Sequence, residues 1–529
     1  MKSIFLLICS LACISNAWPQ SGNISGVVRD KSTQLPVSGA AVQLLKGGPK
    51  AKTDKNGKFT LNIRTSARSL KDTLLVTDNR YWSQRIVLPL PNSTDLKIKM
   101  SAAKNRLIVT TDLGGADPDD EQSMVHLLVS ANAFDLEGLV MGLAWLKADH
   151  NQPGIKPLKA IIDAYEKTFP NLKAHAKGYP TASYLRSIVA VGQISPNMSG
   201  VGYGKNSPGS ELIINAVDKD DPRPVWLNAW GGANTIAQAL WAVKSTRTEA
   251  ELSRFIRKIR VFDILGQDDA GAWIAKTFPE LIYIRTKSIY GWGPSDEWVS
   301  THVQSHGPLG ALYPKRRWAT EGDSPAFFHV WAHGLNDPDA LEQGGWGGRF
   351  NTKKTSDIRA MEIASTTPGL DEKRYDPYYM FTNTSEGMSA INRWKQDIYN
   401  DLQARMDWSV TPNYADANHH PIAVLNGDET KQLIETTVAP GTLIQLNATG
   451  SSDPDGDALS YKWYFYDEPS SYDGTVTIKQ STANRANVEI PKNAAGKTLH
   501  IILEVRDNGA PNLIVYRRLI INVKPSTSL

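Results

Sequence analysis

Apolar residues follow three different rhythms along this chain. Between residues 22 and 100, short runs at 24–28, 41–45, 59–63 and 72–76 are separated by turn residues such as Pro36, Gly39 and Asp54-Lys55-Asn56-Gly57. That spacing predicts strands packed as a small antiparallel sandwich. From about 104 to 418, apolar strand-like runs at 106–112, 136–143, 224–230, 259–265 and 281–285 alternate with amphipathic stretches. One of these stretches predicts a helix over 235–244. The alternation is the rhythm of an α/β domain with a mainly parallel sheet, in which ligands bind beyond the carboxyl ends of the strands. From about 420 to 524 the β pattern returns, in runs at 441–448, 459–464, 498–505 and 514–521, and predicts an immunoglobulin-like sandwich. The predicted fold class is therefore multidomain, a central α/β domain flanked by two β-sandwiches.

The first 20 residues fit none of these rhythms. Lys2 precedes an apolar stretch over 4–14 and then Ser15-Asn16-Ala17, the order of a secretory signal cleaved after Ala17. The stretch is far short of the ~20 residues of a membrane span, and no second one follows, so an exported protein without a transmembrane segment is expected, periplasmic or secreted. The competing reading takes Ser10-Leu11-Ala12-Cys13 as a lipoprotein signal with Cys13 lipidated, against which stands the short apolar core before it. The chain's 2 cysteines are Cys9 and Cys13. Cleavage after Ala17 leaves a mature chain without thiols, which excludes disulfides, thiolate metal sites and cysteine nucleophiles. With 58 Lys+Arg against 54 Asp+Glu, the chain offers no electrostatic case for nucleic acid or an anionic membrane surface.

The densest candidate chemistry is TTDLGGADPDDE at 110–121. Asp112, Asp117, Asp119, Asp120 and Glu121 follow directly on an apolar strand and precede an apolar helix face at Met124, Val125, Leu127 and Leu128. Acids at a helix start complement its dipole, which accounts for one or two of them but not for five. A divalent cation would relieve their repulsion, and a carboxylate shell suits Ca²⁺ or Mg²⁺. Further candidates are aromatic. Of 15 Trp, Trp346 lies among four glycines beside Arg349, and Trp292 lies between Gly291 and Gly293, placements that predict rings standing clear as sugar platforms, with the filling of a large core as the alternative. Gln267-Asp268-Asp269 follows the fourth strand and is expected to face the same cleft, with a helix cap as the alternative for the acids. His329 and His333 have the spacing but not the glutamate of a zinc-peptidase motif and read as core or surface histidines. Asp453-Pro454-Asp455-Gly456-Asp457 reads as a turn, with a Ca²⁺ loop as the alternative.

Several of these motifs resemble known families. ISGVVRD, PVSGAAVQL and KTDKNGKFTL within 22–100 resemble the carboxypeptidase regulatory-like domain, an accessory β-sandwich that implies no catalysis. The 110–121 segment resembles the opening motif of the nucleoside hydrolases, D-x-D-P-G-x-D-D. That resemblance implies a Ca²⁺ held by Asp112, Asp119 and Asp120, with Asp112 also the base for the attacking water. WGGANTIAQAL at 230–240 resembles the segment whose backbone carbonyl completes the metal shell, which falls on Asn234. The family's late His-Asp pair best matches Gly322-Asp323, with Asn336-Asp337 as second choice, and makes Asp323 a further ligand. Four departures stand out: Thr110 replaces the first Asp, about three extra residues separate Gly114 from Asp119, the His of the late pair is missing, and the Asn expected after the second strand is replaced within Leu143-Ala144-Trp145. With TTDLGGADPDDEQSM, EGDSPAFF, GLNDPDALEQGGWGGR and SSDPDGDALSYKWY together, residues 104–524 resemble exported bacterial cellulose-binding proteins that join a nucleoside-hydrolase-like domain to a β-sandwich. The resemblance implies an exported glycoside hydrolase-like protein acting on a carbohydrate, or a carbohydrate-binding protein on the same scaffold. Asp112 would be catalytic; Trp145, Gln267, Asp268, Trp292, Trp346 and Arg349 would bind substrate; Asp117, Asp268 and Glu297 are candidates for the leaving-group acid.

Overall fold

A computed structural model of the chain describes residues 20–46, 48–65, 71–90, 92–142, 154–360 and 369–526; the expected signal over 1–17 and Trp145 lie outside them. The chain divides into two compact units that part between Ser101 and Ala102.

The first unit is a β-sandwich. Strands β1 (Gln20–Asp30), β4 (Lys58–Thr65) and β7 (Ser93–Met100) form one sheet in the order β4-β1-β7. Strands β2 (Ala41–Leu44), β3 (Lys50–Lys52), β5 (Lys71–Thr77) and β6 (Gln84–Pro89) form the other, in the order β3-β2-β5-β6. Period-two alternation turns Ile24, Val28, Leu61, Leu74, Val76 and Ile98 into the space between them. One pairing departs from the antiparallel expectation, for β7 runs parallel to β1. It enters from the opposite sheet after β6, so no hairpin constrains its direction.

The second unit holds a six-stranded, wholly parallel sheet of β8 (Asn105–Thr111), β9 (Phe134–Met141), β10 (Val189–Val191), β11 (Val225–Ala229), β12 (Ile259–Asp263) and β13 (Ile282–Arg285). The order is β10-β9-β8-β11-β12-β13. The chain therefore winds outward from β8 to one edge and returns at β11 to wind toward the other. The crevice beyond β8 and β11 is the switch point where such folds bind ligands. The α-helices of six or more residues are α1 (Asp119–Val129), α2 (Ile155–His175), α3 (Ala182–Ser187), α4 (Pro208–Asp218), α5 (Asn234–Thr246), α6 (Glu249–Arg257), α7 (Ala270–Thr277), α8 (Ser324–Val330) and α9 (Lys395–Val410). Both sheet faces are covered. Leu107, Val109, Trp226 and Phe262 pack into one core, and Ile108, Val225, Leu227 and Val261 into the other, which is why these strands read as unbroken apolar runs. β10 was not expected, because three residues leave no periodicity to read.

The C-terminal part belongs to the same unit. Strands β14 (Ile434–Val438), β16 (Ser460–Tyr466), β19 (Thr498–Arg506) and β20 (Ile514–Val523) pair as β14-β20-β19-β16; β15 (Leu443–Asn447), β17 (Ile478–Lys479) and β18 (Arg485–Glu489) pair as β15-β18-β17. Trp463, Leu503, Leu519 and Ile521 fill the space between the sheets. The outer face is buried as well: Tyr466, Ile502, Ile514 and Tyr516 pack into the core that contains Trp331 and Trp394 of the α/β part. Arg518, fully buried, donates to the Gln343 carbonyl at 2.8 Å across this junction. Among the described residues no helix is long and apolar enough to cross a membrane.

Candidate active site

The acidic segment lies at the switch point. β8 ends at Thr111, and the Gly115 N–H donates to the Asp112 carbonyl at 3.0 Å to turn the chain toward α1. Thr111 Oγ1 accepts from the Leu113 N–H at 3.1 Å and donates to Asp120 Oδ1, fixing that carboxylate against the strand end. Asp323, just before α8, comes to the same place from far along the chain. Carboxylate oxygens of Asp119, Asp120 and Asp323 lie within 4.8 Å of one another, all three residues buried. Together with Asp112, Asp117, Trp230, Gln267, Tyr290 and Trp318 they line a cavity of about 160 Å³.

Two glycines make this convergence possible. A Cβ at Gly231 would sit 2.8 Å from Asp112 Oδ1, and one at Gly322 would sit 2.2 Å from Asp119 Oδ2. Both backbones must be bare for the carboxylates to approach. The electrostatics follow. Burial, then the charges of Asp117 and Asp112, push the Asp119 pKa well above the carboxylate range. Burial and the neighbouring acids do the same to Asp120 and Asp323. Burial also pushes Asp117 up to about 6. Asp323 Oδ2 is buried with no hydrogen-bond partner among the described residues. Several buried carboxylates with an oxygen left over fit a hard divalent cation, which takes oxygen ligands and offsets their charge; Asp112, Asp119, Asp120 and Asp323 are the residues that could hold it.

The other expected site residues have different fates. Gln267 lines the cavity and donates to the Trp230 carbonyl. Asp268 does not: its carboxylate accepts from the Asn234 N–H at 3.0 Å and the Ala270 N–H at 3.1 Å, tying the starts of α5 and α7 together, and burial raises its pKa to about 7. Asn234 is not among the cavity's lining residues. It opens α5, so its carbonyl enters the helix ladder, while its side chain donates to the Ser195 carbonyl at 2.8 Å. Glu297 is exposed in a short helix away from the lining. Trp292 is 1% and Trp346 3% exposed, so neither ring is a surface platform. Their glycines serve close packing instead: a Cβ at Gly347 would meet the His329 backbone at 2.4 Å, and Trp292 packs edge-on to Phe328 at 5.4 Å. Arg349 is engaged with Glu386 at 2.6 Å and the Glu468 carbonyl at 3.3 Å. His329 is a core residue whose Nε2–H donates to the Pro338 carbonyl at 2.9 Å.

The exposed rings at this cavity are ones the sequence did not single out. Tyr290 is 51% and Trp318 42% exposed. Arg317 lies over the Trp318 ring at 4.3 Å and donates to the Ala116 carbonyl at 3.0 Å, holding the ring beside the acidic loop. The Gly291-Trp292-Gly293 signal pointed to the right loop and the wrong residue, since Tyr290 next to it faces outward. Behind the cavity, Glu321 accepts from Tyr313 and Ser324 at 2.9 and 2.7 Å and pairs with His126 Nδ1 at 2.7 Å. It has φ 50°, a left-handed turn that this buried network holds in place two residues before Asp323.

Fold and site together define a nucleoside-hydrolase-like α/β protein. Residues 106–350 match the family described as "Cellulose-binding Sde182, nucleoside hydrolase-like domain", and residues 443–523 match "Cellulose-binding protein Sde0182, C-terminal domain". A solved structure of a nucleoside hydrolase-related hypothetical protein from Saccharophagus degradans, associated with carbohydrate metabolism, is 52% identical; the match covers 80% of this chain and 100% of that one at a TM-score of 0.75. The chain belongs to this family of cellulose-binding, nucleoside hydrolase-like proteins. The effector protein XOO4466 matches at 9% identity over 58% of this chain and 94% of its own, with a TM-score of 0.31, too loose to carry an argument. No curated protein matches the chain.

Proposed function

We propose that the protein is an exported glycoside hydrolase-like protein that works on a carbohydrate at the switch-point cavity. One observation carries the reading: carboxylates from two distant segments, 112–120 and 323, converge in a buried cavity rimmed by exposed aromatic rings. When bound, a hard divalent cation such as Ca²⁺ supplies the positive charge these acids lack and an anchor for a vicinal diol. The chain does the rest. Asp119, Asp120 and Asp323 hold fixed positions through Thr111, Gly322 and the Glu321 turn. Asp112, at the strand end, takes a proton from water as the glycosyl bond breaks through an oxocarbenium-like state. Asp117, with its pKa near 6, is the lining acid suited to protonating the leaving oxygen. Tyr290 and Trp318 offer apolar faces to a sugar ring.

A second reading, carbohydrate binding without hydrolysis, is favoured by one feature: Gly322 stands where the nucleoside-hydrolase motif has its histidine. Incubating the protein with a panel of glycans and nucleosides, with and without EDTA and beside Asp112→Ala, separates the two. Sugar release abolished by EDTA and by Asp112→Ala is expected of the hydrolase. Glycan binding with no release, unchanged by Asp112→Ala, would leave the binding protein.

A further inference from the structure

A second cavity, of about 310 Å³, lies where the α/β part meets the C-terminal sandwich. Trp331, Trp346, Trp408, Tyr414 and Tyr516 line it. Tyr414 and Ile422, 40% and 47% exposed, stand at its mouth. Its volume falls at the lower end of the ~300–1,000 Å³ of small-molecule pockets, and its walls are of the aromatic kind that such pockets favour.

Its polar groups fall into two sets. The first set is engaged. Asp401 pairs with Arg405 at 2.7 Å and with His420 at 2.8 Å, and Arg405 also donates to Asn132 Oδ1 at 2.8 Å and lies over the Trp331 ring at 4.9 Å. His419 stacks on Tyr414 at 3.6 Å and bonds Asp455 at 3.0 Å. The second set is not engaged. His333 Nδ1 accepts from the Leu335 N–H at 3.4 Å, which leaves the proton on Nε2. That Nε2–H is buried and has no partner among the described residues, on a side chain that is 5% exposed. Lys431, also in the lining, makes no ion pair or hydrogen bond among the described residues, although it feels the charges of Arg405 and Asp401 and acts on His333. What the cavity lacks is a hydrogen-bond acceptor carrying one negative charge, since a buried donor and a half-buried cation left without partners are costly.

We propose that this cavity is a second ligand site that takes a ring-sized monocarboxylate. The ring lies against the tryptophan and tyrosine walls, and the carboxylate meets the Lys431 ammonium and the His333 Nε2–H. Uronic acids and aromatic carboxylic acids share this chemistry. The site uses none of the acidic cavity's residues and stands independently of the proposed hydrolysis.

The test is calorimetric titration of the full chain with glucuronate, benzoate and glucose, in the presence and absence of EDTA, repeated on Lys431→Met. Lys431 is half-buried, and circular dichroism checks that the variant folds. Glucuronate or benzoate should bind at least tenfold more tightly than glucose, unaffected by EDTA, and Lys431→Met should remove that preference. Which of the two binds identifies the class of ring. Three results would each overturn the proposal: no binding of either acid, equal binding of glucose, or binding that EDTA abolishes while Lys431→Met leaves it intact.

Discussion

The two cavities of the second unit are opposites. The switch-point cavity gathers Asp112, Asp117, Asp119, Asp120 and Asp323 with little to neutralise them. The junction cavity satisfies its one buried carboxylate, Asp401, and leaves donors unspent. Each carries charge that folding alone does not reward, because excess charge of either sign in a desolvated cavity costs stability. The difference also tracks how each is built. The acidic cavity stands on strand and helix ends of the parallel sheet, while the junction cavity exists only because a sandwich packs its outer face against that sheet's helices. The first should respond to cations and the second to anions.

The largest effect that can break this contrast is loss of cation response. Ca²⁺ should stabilise the wild-type chain, because a ligand that binds only the folded form at 100 times its Kd contributes ~2.7 kcal/mol. Scanning calorimetry should show a rise in melting temperature with Ca²⁺, and Asp323→Asn should lose it along with any sugar release. A Ca²⁺ response that survives in Asp323→Asn would place the cation elsewhere.

Next in size is Gly322→Ala. Its Cβ would meet Asp119 Oδ2 at 2.2 Å, so the 321–323 turn or the carboxylate must move. Overpacking of this kind costs ~1–3 kcal/mol. Chemical denaturation should show that loss, with Ca²⁺ affinity falling at least tenfold. A variant of unchanged stability and affinity would mean that the close approach of 322 to Asp119 is not needed.

Much of this was legible in the sequence, and the reasons differ by residue. Strand runs in the parallel sheet announce themselves because both faces are buried; five of six were readable and the three-residue β10 was not. Asp112, Asp119 and Asp120 could be singled out as candidates because their crowding at a strand end exceeds what a helix dipole uses, and Asp323 through its motif, and all four line the one cavity. Asn234 opens α5 and is not among the cavity's lining residues, and alignment to a motif says nothing of where a carbonyl points once the residue opens a helix. Trp292 and Trp346 were misread because glycines beside a ring admit close packing as readily as exposure, and only the neighbouring backbone decides. The junction cavity was invisible, since His333 reads only as half of an incomplete zinc motif and Lys431 as an ordinary lysine until the fold brings them to one cavity.

A smaller, opposite pair of effects should appear in pH titrations of the cation-free chain. Burial lowers the pKa of His329 to about 4 and of His333 and His500 to about 3, from an ordinary 6.5. Unfolded imidazoles take up protons near 6.5 and the folded ones do not, so this part of the stability is present above that value and is lost as pH falls toward 3. Asp119, Asp120 and Asp323 have raised values, so the folded chain holds protons that the unfolded chain has released. Their contribution is present at low pH and is lost as pH rises through the raised values. Urea denaturation against pH in EDTA should therefore fall off on both sides. Ca²⁺ or Asp323→Asn should flatten the alkaline side and leave the acid side unchanged.

The smallest effect concerns the rim, and it separates recognition from architecture. Trp318 lines the cavity, is 42% exposed and is covered on one face by Arg317 at 4.3 Å. Removing a surface ring of this kind changes stability by no more than ~0.5 kcal/mol. If the ring carries a sugar, Trp318→Ala should weaken glycan binding by ~1 kcal/mol, about fivefold, the scale of one aromatic contact. The Ca²⁺-induced rise in melting temperature should stay as in the wild type, because no carboxylate position depends on the indole. Equal glycan affinity in Trp318→Ala would take the aromatic rim out of recognition and leave the cavity's selectivity to the carboxylates alone. A lost Ca²⁺ response would instead show that the Arg317–Trp318 pair holds the acidic loop itself, through the donor it sends to the Ala116 carbonyl at 3.0 Å.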